Sequence, residues 1–242
     1  MLNQKLNKTH KKFVYNDSLI GFLINPFYIS RSSLYRHLRS YSKQISGGNL
    51  LDVGCGTKPY EKLFVVDTYN GIDIKESGHD HSLSKIDLYF DGEHIPYENS
   101  SYDYVISTEV FEHCFNLDGL LSEIRRVLKK NGELFFTVPF CWNEHEVPYD
   151  FARYSQFGLK CILEKNGFEI IEIKKSTTFI ETLLQLFILY IYSNIFPKNR
   201  YLKVLLVPFF IAPLTLFAKI LTAILPDDKT LPLNLVVRAR VQ

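Results

Sequence analysis

A short apolar segment that runs into a glycine turn constrains the fold of this chain more than any other feature. Residues 50–53 have the pattern of a buried strand, and Gly54 and Gly56 follow them directly. Glycines let a ligand approach the backbone closely, and a strand entering such a turn is typical of nucleotide-binding sheets. Asp73 stands 21 residues after Asp52, where a carboxylate can accept hydrogen bonds from both hydroxyls of a ribose. The segment therefore predicts a site for a ribose-containing ligand.

Apolar runs and helical patterns alternate on both sides of this turn. Strands are predicted at residues 49–53, 69–74, 102–107, 132–138, 168–175 and 234–241, and helices at residues 31–46, 60–64, 117–128 and 155–166. Such alternation is typical of a parallel sheet with helices on both faces. We therefore predict a doubly wound α/β protein.

The glycine turn also indicates the kind of ligand. The pyrophosphate of a nicotinamide dinucleotide favours a third glycine, but Lys58 and Pro59 occupy that position. Asp52, two residues before the first glycine, would repel a negative group. A ligand with a ribose, an adenine and a cationic amino-acid end fits these residues better.

Three further segments carry a resemblance to a known family. Residues 91–97 hold an acidic residue followed by a proline and an aromatic, residues 100–107 span a predicted strand, and residues 123–128 end a helix. Together with the glycine turn, they resemble class I S-adenosylmethionine-dependent methyltransferases of the type 11 methyltransferase domain, over roughly residues 49–175 and the last strand. The resemblance implies a Rossmann-like methyltransferase sheet with an antiparallel last strand, and S-adenosylmethionine as the cofactor.

The resemblance also implies roles for individual residues. Asp52 and the turn glycines are expected to line the methionine end of the cofactor, and Asp73 to hold its ribose. Ile74 is expected to pack on the adenine and Asp91 to accept from the adenine amino group. The predicted cofactor-binding residues are Asp52, Gly54, Cys55, Gly56, Asp73, Ile74, Asp91, Gly92 and Thr108.

A cluster of acids and a histidine follows the strand predicted at residues 102–107. It resembles a segment that has been linked to a divalent metal in ubiquinone-pathway O-methyltransferases. Glu109, Glu112 and His113 can ligate an ion if they converge. Alternatively they begin a helix, with Glu109 near the cofactor and His113 hydrogen-bonded locally. We assign no metal ligand from the sequence.

The loop at residues 139–154 follows another predicted strand, and ligands of open parallel sheets bind beyond the carboxyl ends of the strands. His145 is the predicted base, because an imidazole titrates near neutral pH. Asp150 can orient it, and Arg153 can clamp an anionic group of the acceptor. A capped loop histidine and a structural Asp150–Arg153 pair remain alternatives. The loop resembles methyltransferases of bacterial surface-polysaccharide pathways.

Two long apolar stretches, residues 179–196 and 204–225, interrupt the alternation before the last strand. Each approaches the length of a spanning helix. If the strands on either side are neighbours, the insertion leaves and returns on one side, as a hairpin. It then dips into a membrane, lies on one, covers the acceptor site or forms an oligomer interface. Pro208 and Pro213 are expected to kink or divide the second stretch. Four basic residues can meet lipid phosphates: Lys198, Arg200, Lys203 and Lys219.

Charge and composition bear on the partners. Residues 1–50 carry a net charge of +7, residues 51–178 of −9 and residues 179–242 of +4. The basic residues flank apolar segments, and no target-recognition domain has room, so we expect no nucleic acid partner. The four cysteines form no CxxC pair, which indicates a reducing compartment, and no signal peptide is evident, which places the catalytic part in the cytosol.

These patterns predict three parts: a basic helical arm at residues 1–48, a methyltransferase domain at residues 49–178 and 230–242, and a hydrophobic helical hairpin at residues 179–229. The predicted activity is methylation of a hydroxyl on a lipid-linked or surface-glycan precursor at the cytosolic membrane face. One alternative is a quinone-type small-molecule O-methyltransferase that depends on a metal. Another is a membrane-associated cofactor-binding subunit without turnover.

Overall fold

The computed structural model describes residues 15–75 and 83–242, which contain one seven-stranded sheet. Its strands are β1 Asn49–Val53, β2 Thr68–Ile74, β3 Leu88–Phe90, β4 Tyr102–Thr108, β5 Leu128–Pro139, β6 Phe168–Lys175 and β7 Asn234–Val241. The spatial order is β3-β2-β1-β4-β5-β7-β6. The pairs from β3 to β5 are parallel, and β7 is antiparallel to β5. The predicted doubly wound α/β sheet with an antiparallel last strand is confirmed.

The helices of the described residues are α1 Leu19–Ile24, α2 Tyr28–Ser42, α3 Leu117–Val127, α4 Gln156–Lys165, α5 Phe179–Tyr190 and α6 Arg200–Ile224. A π-helical turn, Ile191–Ile195, continues α5, and 3₁₀ turns lie at Glu61–Leu63 and Phe111–His113. Side-chain caps begin several helices, because the oxygen of a capping residue accepts from an otherwise unpaired backbone N–H. Asn116 caps α3 in this way, Ser155 caps α4, and Thr178 forms a capping box with Glu181 on α5.

Two local predictions were wrong, and one short strand was missed. The helix predicted at residues 60–64 is only the 3₁₀ turn, and β3 was not predicted because three residues show no periodicity. β5 begins at Leu128 rather than residue 132, because the chain pairs with β4 through a bulge at its start.

The core of the sheet lies between β1, β4 and β5 and the helix α3. Leu120, Leu121, Ile124 and Val127 recur at helical spacing on α3 and are buried together with the inward residues of the strands. The switch point of the sheet, where the strand order reverses, falls between β1 and β4. Ligand sites of such sheets form at that point.

The chain divides into two compact units. One, residues 40–174 and 234–242, contains the sheet. The other contains the described residues 15–39 and 175–233, so part of the predicted basic arm and the insertion belong to one helical unit. Residues 1–14 of that arm lie outside the described residues. Within the helical unit, the Gln185 side chain is buried and donates to Pro26 O at 2.9 Å.

The helix α6 runs through Pro208 and Pro213 as one element, so the prolines do not divide it. Of the described helices, the segment Tyr201–Ile224 alone is long and apolar enough to cross a membrane, judged by length and composition. Many of its large apolar side chains are exposed: Leu205, Phe209, Phe210, Leu216, Phe217, Ile220 and Ile224.

Candidate active site

The glycine turn follows β1 and bends back onto β2. The backbone N–H groups of Gly54 and Cys55 donate to Ile72 O at 2.9 and 3.0 Å. Gly54 has φ +74°, and a Cβ there would lie 2.3 Å from Val110 Cγ2. Gly56 has φ +47°, and a Cβ there would meet no described atom within 4 Å. Gly54 therefore allows close packing, whereas Gly56 leaves open space for a ligand.

Asp52 is buried beneath this turn, with 3% of its surface exposed. Its Oδ2 accepts from the Tyr69 hydroxyl at 2.6 Å, while Oδ1 has no hydrogen-bond partner among the described residues. Burial raises the pKa of Asp52 to about 7, against the opposing effects of the Tyr69 hydrogen bond and the Lys58 charge. The open oxygen can accept from a cationic amino group.

Asp73 ends β2 beside the turn, as predicted. Its Oδ2 accepts from Gly56 N at 2.9 Å and its Oδ1 from Ile74 N at 2.8 Å. These bonds fix the carboxylate at the rim of the turn, where its remaining lone pairs can accept from a ribose.

Ile74, Asp91 and Gly92 come together at the carboxyl ends of β2 and β3. A Cβ on Gly92 would lie 3.6 Å from Ile74 Cγ2. Asp91 is exposed and accepts from the backbone N–H groups of Glu93 and His94, which lower its pKa to about 2. The structure thus places Ile74, Asp91 and Gly92 together at one edge of the sheet. Asp73, which precedes Ile74 on β2, lies next to them.

The remaining two predicted cofactor residues are positioned differently. The Cys55 side chain is buried and turned toward Gly71 on β2, so a ligand would meet only the backbone of Cys55. Thr108 ends β4, opposite Thr137 on β5.

Lys58 stands where this turn lacks a third glycine. Its ammonium is buried and forms an ion pair with Asp87 at 2.5 Å. The same carboxylate oxygen accepts from Gly71 N at 2.6 Å. Lys58 therefore ties the end of the turn to β2. Sequence reasoning missed this pair, because its two residues are 29 positions apart with no local signal.

A second cluster forms beyond the carboxyl ends of β4 and β5. We call it the acid–histidine centre, and it comprises Glu112, His113, His145, Glu146 and Asp150. Glu112 Oε1 lies 3.6 Å from His113 Nε2 and 3.9 Å from His145 Nε2. The two imidazole centroids are 4.7 Å apart. The loop after β5 is fixed to the 3₁₀ turn after β4, because Phe151 N donates to Glu112 O at 2.8 Å.

Glu112 is fully buried, and neither carboxylate oxygen has a hydrogen-bond partner among the described residues. Burial raises its pKa well above the usual value, and the charge of Glu109 adds to the effect. His145 responds in the opposite direction: burial and the neighbouring His113 lower its pKa. The lowered pKa favours the neutral ring, in which one nitrogen holds an electron pair.

Asp150 contacts both His145 and Arg153. Its Oδ2 accepts from His145 N at 3.0 Å and lies 3.2 Å from His145 Nδ1. Arg153 donates to both Asp150 oxygens, at 2.5 and 2.7 Å, which lowers the pKa of Asp150 to about 2. The structural pair left open by the sequence is formed, and Arg153 also donates to two backbone carbonyls. The role of Arg153 as an anion clamp stays a prediction.

Glu109 is held apart from this cluster. Its carboxylate accepts from Thr137 Oγ1 and from Asn234 Nδ2, each at 2.7 Å. Of the three residues considered for a metal, Glu112 and His113 meet, and His145 takes the third place. No local pattern links residues 113 and 145; only the adjacency of β4 and β5 joins them.

Comparisons with known proteins agree on the kind of domain. A family model described as a methyltransferase domain matches residues 30–173. The phthiotriol/phenolphthiotriol dimycocerosates methyltransferase 1 of Mycobacterium ulcerans is 28% identical over 117 residues, covering 42% of this chain and 43% of that protein. A sterol 24-C-methyltransferase of Schizosaccharomyces pombe is 30% identical over 112 residues, covering 40% and 30%.

Among solved structures, phosphoethanolamine N-methyltransferase 2 of Haemonchus contortus, in complex with S-adenosyl-L-methionine, is similar with a TM-score of 0.56 and 18% identity. The match covers 96% of this chain and 56% of that one. The chain spans less than half the length of the curated relatives that it matches.

Proposed function

The chain belongs to the methyltransferase domain family, and we propose that it methylates a hydroxyl of a lipid-linked or surface-glycan precursor at the cytosolic face of a membrane. Methyltransferases of this family use S-adenosylmethionine, which supplies a methyl group on a positively charged sulfur. The finer assignment rests on one observation above all. A half-buried histidine, His145, stands beyond the strands next to the glycine turn, with Asp150 Oδ2 3.2 Å from its Nδ1 and Glu112 Oε1 3.9 Å from its Nε2.

The glycine turn fits the cofactor. Asp52 offers a buried, open carboxylate oxygen to a cationic amino group, and Gly56 leaves space for close approach. The Asp73 carboxylate can accept hydrogen bonds from a ribose, and Ile74 and Gly92 can contact an apolar ring. A phosphate would meet carboxylates here rather than donors, which argues against a dinucleotide.

The acid–histidine centre supports a hydroxyl acceptor. An oxygen that gains a methyl group to become an ether must lose its proton, so the enzyme needs a group that acts on that proton. We assign this direct action to His145, because burial and the neighbouring His113 lower its pKa and so favour the neutral ring, which can take a proton. Asp150 Oδ2 lies 3.2 Å from His145 Nδ1, and His145 Nε2 lies 3.9 Å from Oε1 of the buried Glu112.

The helical unit supports a membrane-associated acceptor. Its exposed phenylalanines and leucines on α6 would lose contact with water in the apolar part of a bilayer. Because β6 and β7 are neighbours, both ends of the insertion return to one sheet, which favours a monotopic hairpin over a single crossing. A relative that is 30% identical over 112 residues is named a sterol 24-C-methyltransferase, and this name supports an apolar acceptor.

The test is a labelling experiment with the full chain. Purified protein receives methyl-labelled S-adenosylmethionine and an extract of its own cell envelope, and the label is followed into organic and aqueous phases. We expect label in the organic phase that mild acid moves to the aqueous phase, since acid cleaves a glycan from a lipid diphosphate. His145→Ala should lose the label, and Glu164→Ala, on the exposed face of α4, should keep it.

Four outcomes would contradict the proposal or a part of it. Organic label that resists acid favours the quinone-type alternative, and label confined to the aqueous phase favours a soluble acceptor. No label, with cofactor binding intact, favours the subunit without turnover. Complete release of the protein by detergent-free extraction would overturn the membrane attachment.

A further inference from the structure

We propose that Lys58 is a positioning residue for cofactor binding: its buried ammonium keeps the Asp52 carboxylate charged, so that this carboxylate can receive the cationic end of the cofactor. The effect on Asp52 is argued from the side chains of the glycine turn and β2. Its use in binding rests on the role that the proposed function gives to Asp52. Lys58 acts through Asp52 and need not touch the cofactor.

The backbone at position 58 indicates that the lysine is present for its side chain. Lys58 has φ +49°, in the left-handed region that favours glycine. A third glycine, which nucleotide-binding turns have in this region, would adopt the conformation without strain. A side chain kept in an unfavourable backbone conformation is a candidate for a functional role. Lys58 is such a residue, directly beside a ligand turn.

The neighbouring strand makes room for this side chain. Gly71 lies within β2, and a Cβ there would lie 2.5 Å from Lys58 Cε and 2.7 Å from Cys55 Sγ. Glycine inside a strand weakens it and often marks the close approach of another group. The Lys58 stem is one such group, and only 5% of this side chain is exposed. A larger residue at position 71 would exclude Lys58 from its present position.

The ammonium is held where it can act on Asp52. Lys58 Nζ donates to Asp87 Oδ2 at 2.5 Å and lies 5.5 Å from the centre of the Tyr69 ring. The hydroxyl of the same ring donates to Asp52 Oδ2 at 2.6 Å. A buried cation is screened less than one in water, so it favours the charged form of a nearby acid. Lys58 thereby opposes the burial that raises the pKa of Asp52.

The other groups around Asp52 do not replace this charge. The groups that face it are the Tyr69 hydroxyl and Asp73 of β2, the Cys55 thiol and Lys58 of the turn, and Glu61 of the 3₁₀ turn. The two other acids disfavour a further negative charge. Burial raises the pKa of the thiol, which stays neutral. Lys58 is the cation of this set.

The test follows the charge of Asp52 directly. The carboxyl carbons of aspartate are titrated by ¹³C NMR in the full chain without cofactor, and the Asp52 signal is the one missing from Asp52→Asn. In Lys58→Met, the midpoint should rise by about one pH unit, because the charge is lost while an apolar stem remains. Calorimetry with S-adenosylhomocysteine should then show affinity at pH 7 reduced about fivefold and recovering at higher pH.

Asp87→Asn is the matched variant, because it breaks the same ion pair and leaves the lysine charge in place. Its amide oxygen can still accept from Gly71 N. The Asp52 midpoint should stay in place or fall by up to about one unit. If the ion pair served only to tie the turn to β2, both variants would weaken binding at every pH without moving the midpoint.

Three further variants serve as controls. Lys58→Arg keeps the charge and should keep the wild-type midpoint. Lys58→Gly removes the charge and relaxes the backbone, so its midpoint should rise as in Lys58→Met, and it provides a second test of the charge. Lys85→Met removes an exposed cation 3.1 Å from Glu61 and should leave the Asp52 midpoint in place. Thermal unfolding verifies that each variant is folded.

The proposal is overturned if the Asp52 midpoint stays in place in Lys58→Met and Lys58→Gly, or if it rises equally in Asp87→Asn. A different result bears on the proposed function. If the midpoint moves while cofactor affinity keeps its wild-type pH profile, Lys58 acts on Asp52 as proposed, but Asp52 does not bind the cofactor.

Discussion

The glycine turn and the acid–histidine centre each bury a carboxylate, but the two carboxylates differ in how many of their oxygens accept a hydrogen bond. Asp52 receives a hydrogen bond from Tyr69 and keeps one open oxygen, whereas both oxygens of Glu112 lack a partner among the described residues. Burial raises the pKa of both acids. The difference shows that the same burial leaves one carboxylate oxygen without a partner where a tyrosine lies within reach, and two where no such hydroxyl donates among the described residues.

The largest expected effect separates the two regions. His145→Ala should lower the rate of methyl transfer by about 10²–10⁴-fold, because the hydroxyl proton is no longer acted on. Cofactor affinity should not change, since the glycine turn is intact. Single-turnover labelling and calorimetry measure the two quantities. An equal loss of both would show that the regions are not separable.

Asp52→Asn should have the converse effect. Cofactor affinity should fall about 10–100-fold, because a charge-assisted hydrogen bond becomes a neutral one. The rate at saturating cofactor should stay close to that of the wild type. Calorimetry with S-adenosylhomocysteine tests this, and an unchanged affinity would refute the assignment of Asp52.

The raised pKa of Asp52 predicts a pH dependence. The acid gains a proton as the pH falls through about 7 and loses the charge that attracts an ammonium. Cofactor affinity should therefore decrease toward low pH, approaching about tenfold per unit below the pKa. Titrations from pH 5.5 to 8.5 measure the slope. The Asp52→Asn variant should show no such dependence; an identical slope in the variant would assign the titration to another group.

The smallest expected effect comes from removing the Tyr69 hydroxyl, the hydrogen-bond partner that distinguishes Asp52 from Glu112. Tyr69→Phe removes the hydrogen bond that favours the charged acid, so the pKa should rise by about one unit. Affinity at pH 7 then falls about fivefold. Tyr102→Phe is the matched control, since its hydroxyl donates to Asn70 instead. A midpoint that stays near pH 7 in Tyr69→Phe would contradict this reading.

Local patterns were sufficient for most of the fold. The strands β1, β2, β4, β6 and β7 lie within one residue of their predicted positions, because each is an apolar run bounded by turn residues. The placement of Asp73 beside the glycine turn follows from the parallel pairing of β1 and β2.

Contacts that depend on pairing between distant segments could not be predicted. The hydrogen bond from Tyr69 to Asp52 requires the register that sets Leu50 opposite Tyr69. The meeting of His113 with His145 requires that β4 and β5 be neighbours and that the following loop fold back on Glu112. No spacing along the chain carries that information.

The position of β7 has a consequence for biosynthesis. This strand lies between β5 and β6, yet it follows the helical insertion in the chain. While a ribosome makes residues 176–233, β5 has no final neighbour on that side, and the sheet stays unfinished. The apolar helices are therefore complete in the nascent chain before the sheet can close. The eight-residue strand β7, made after these helices, is what joins β5 to β6 and finishes the catalytic sheet.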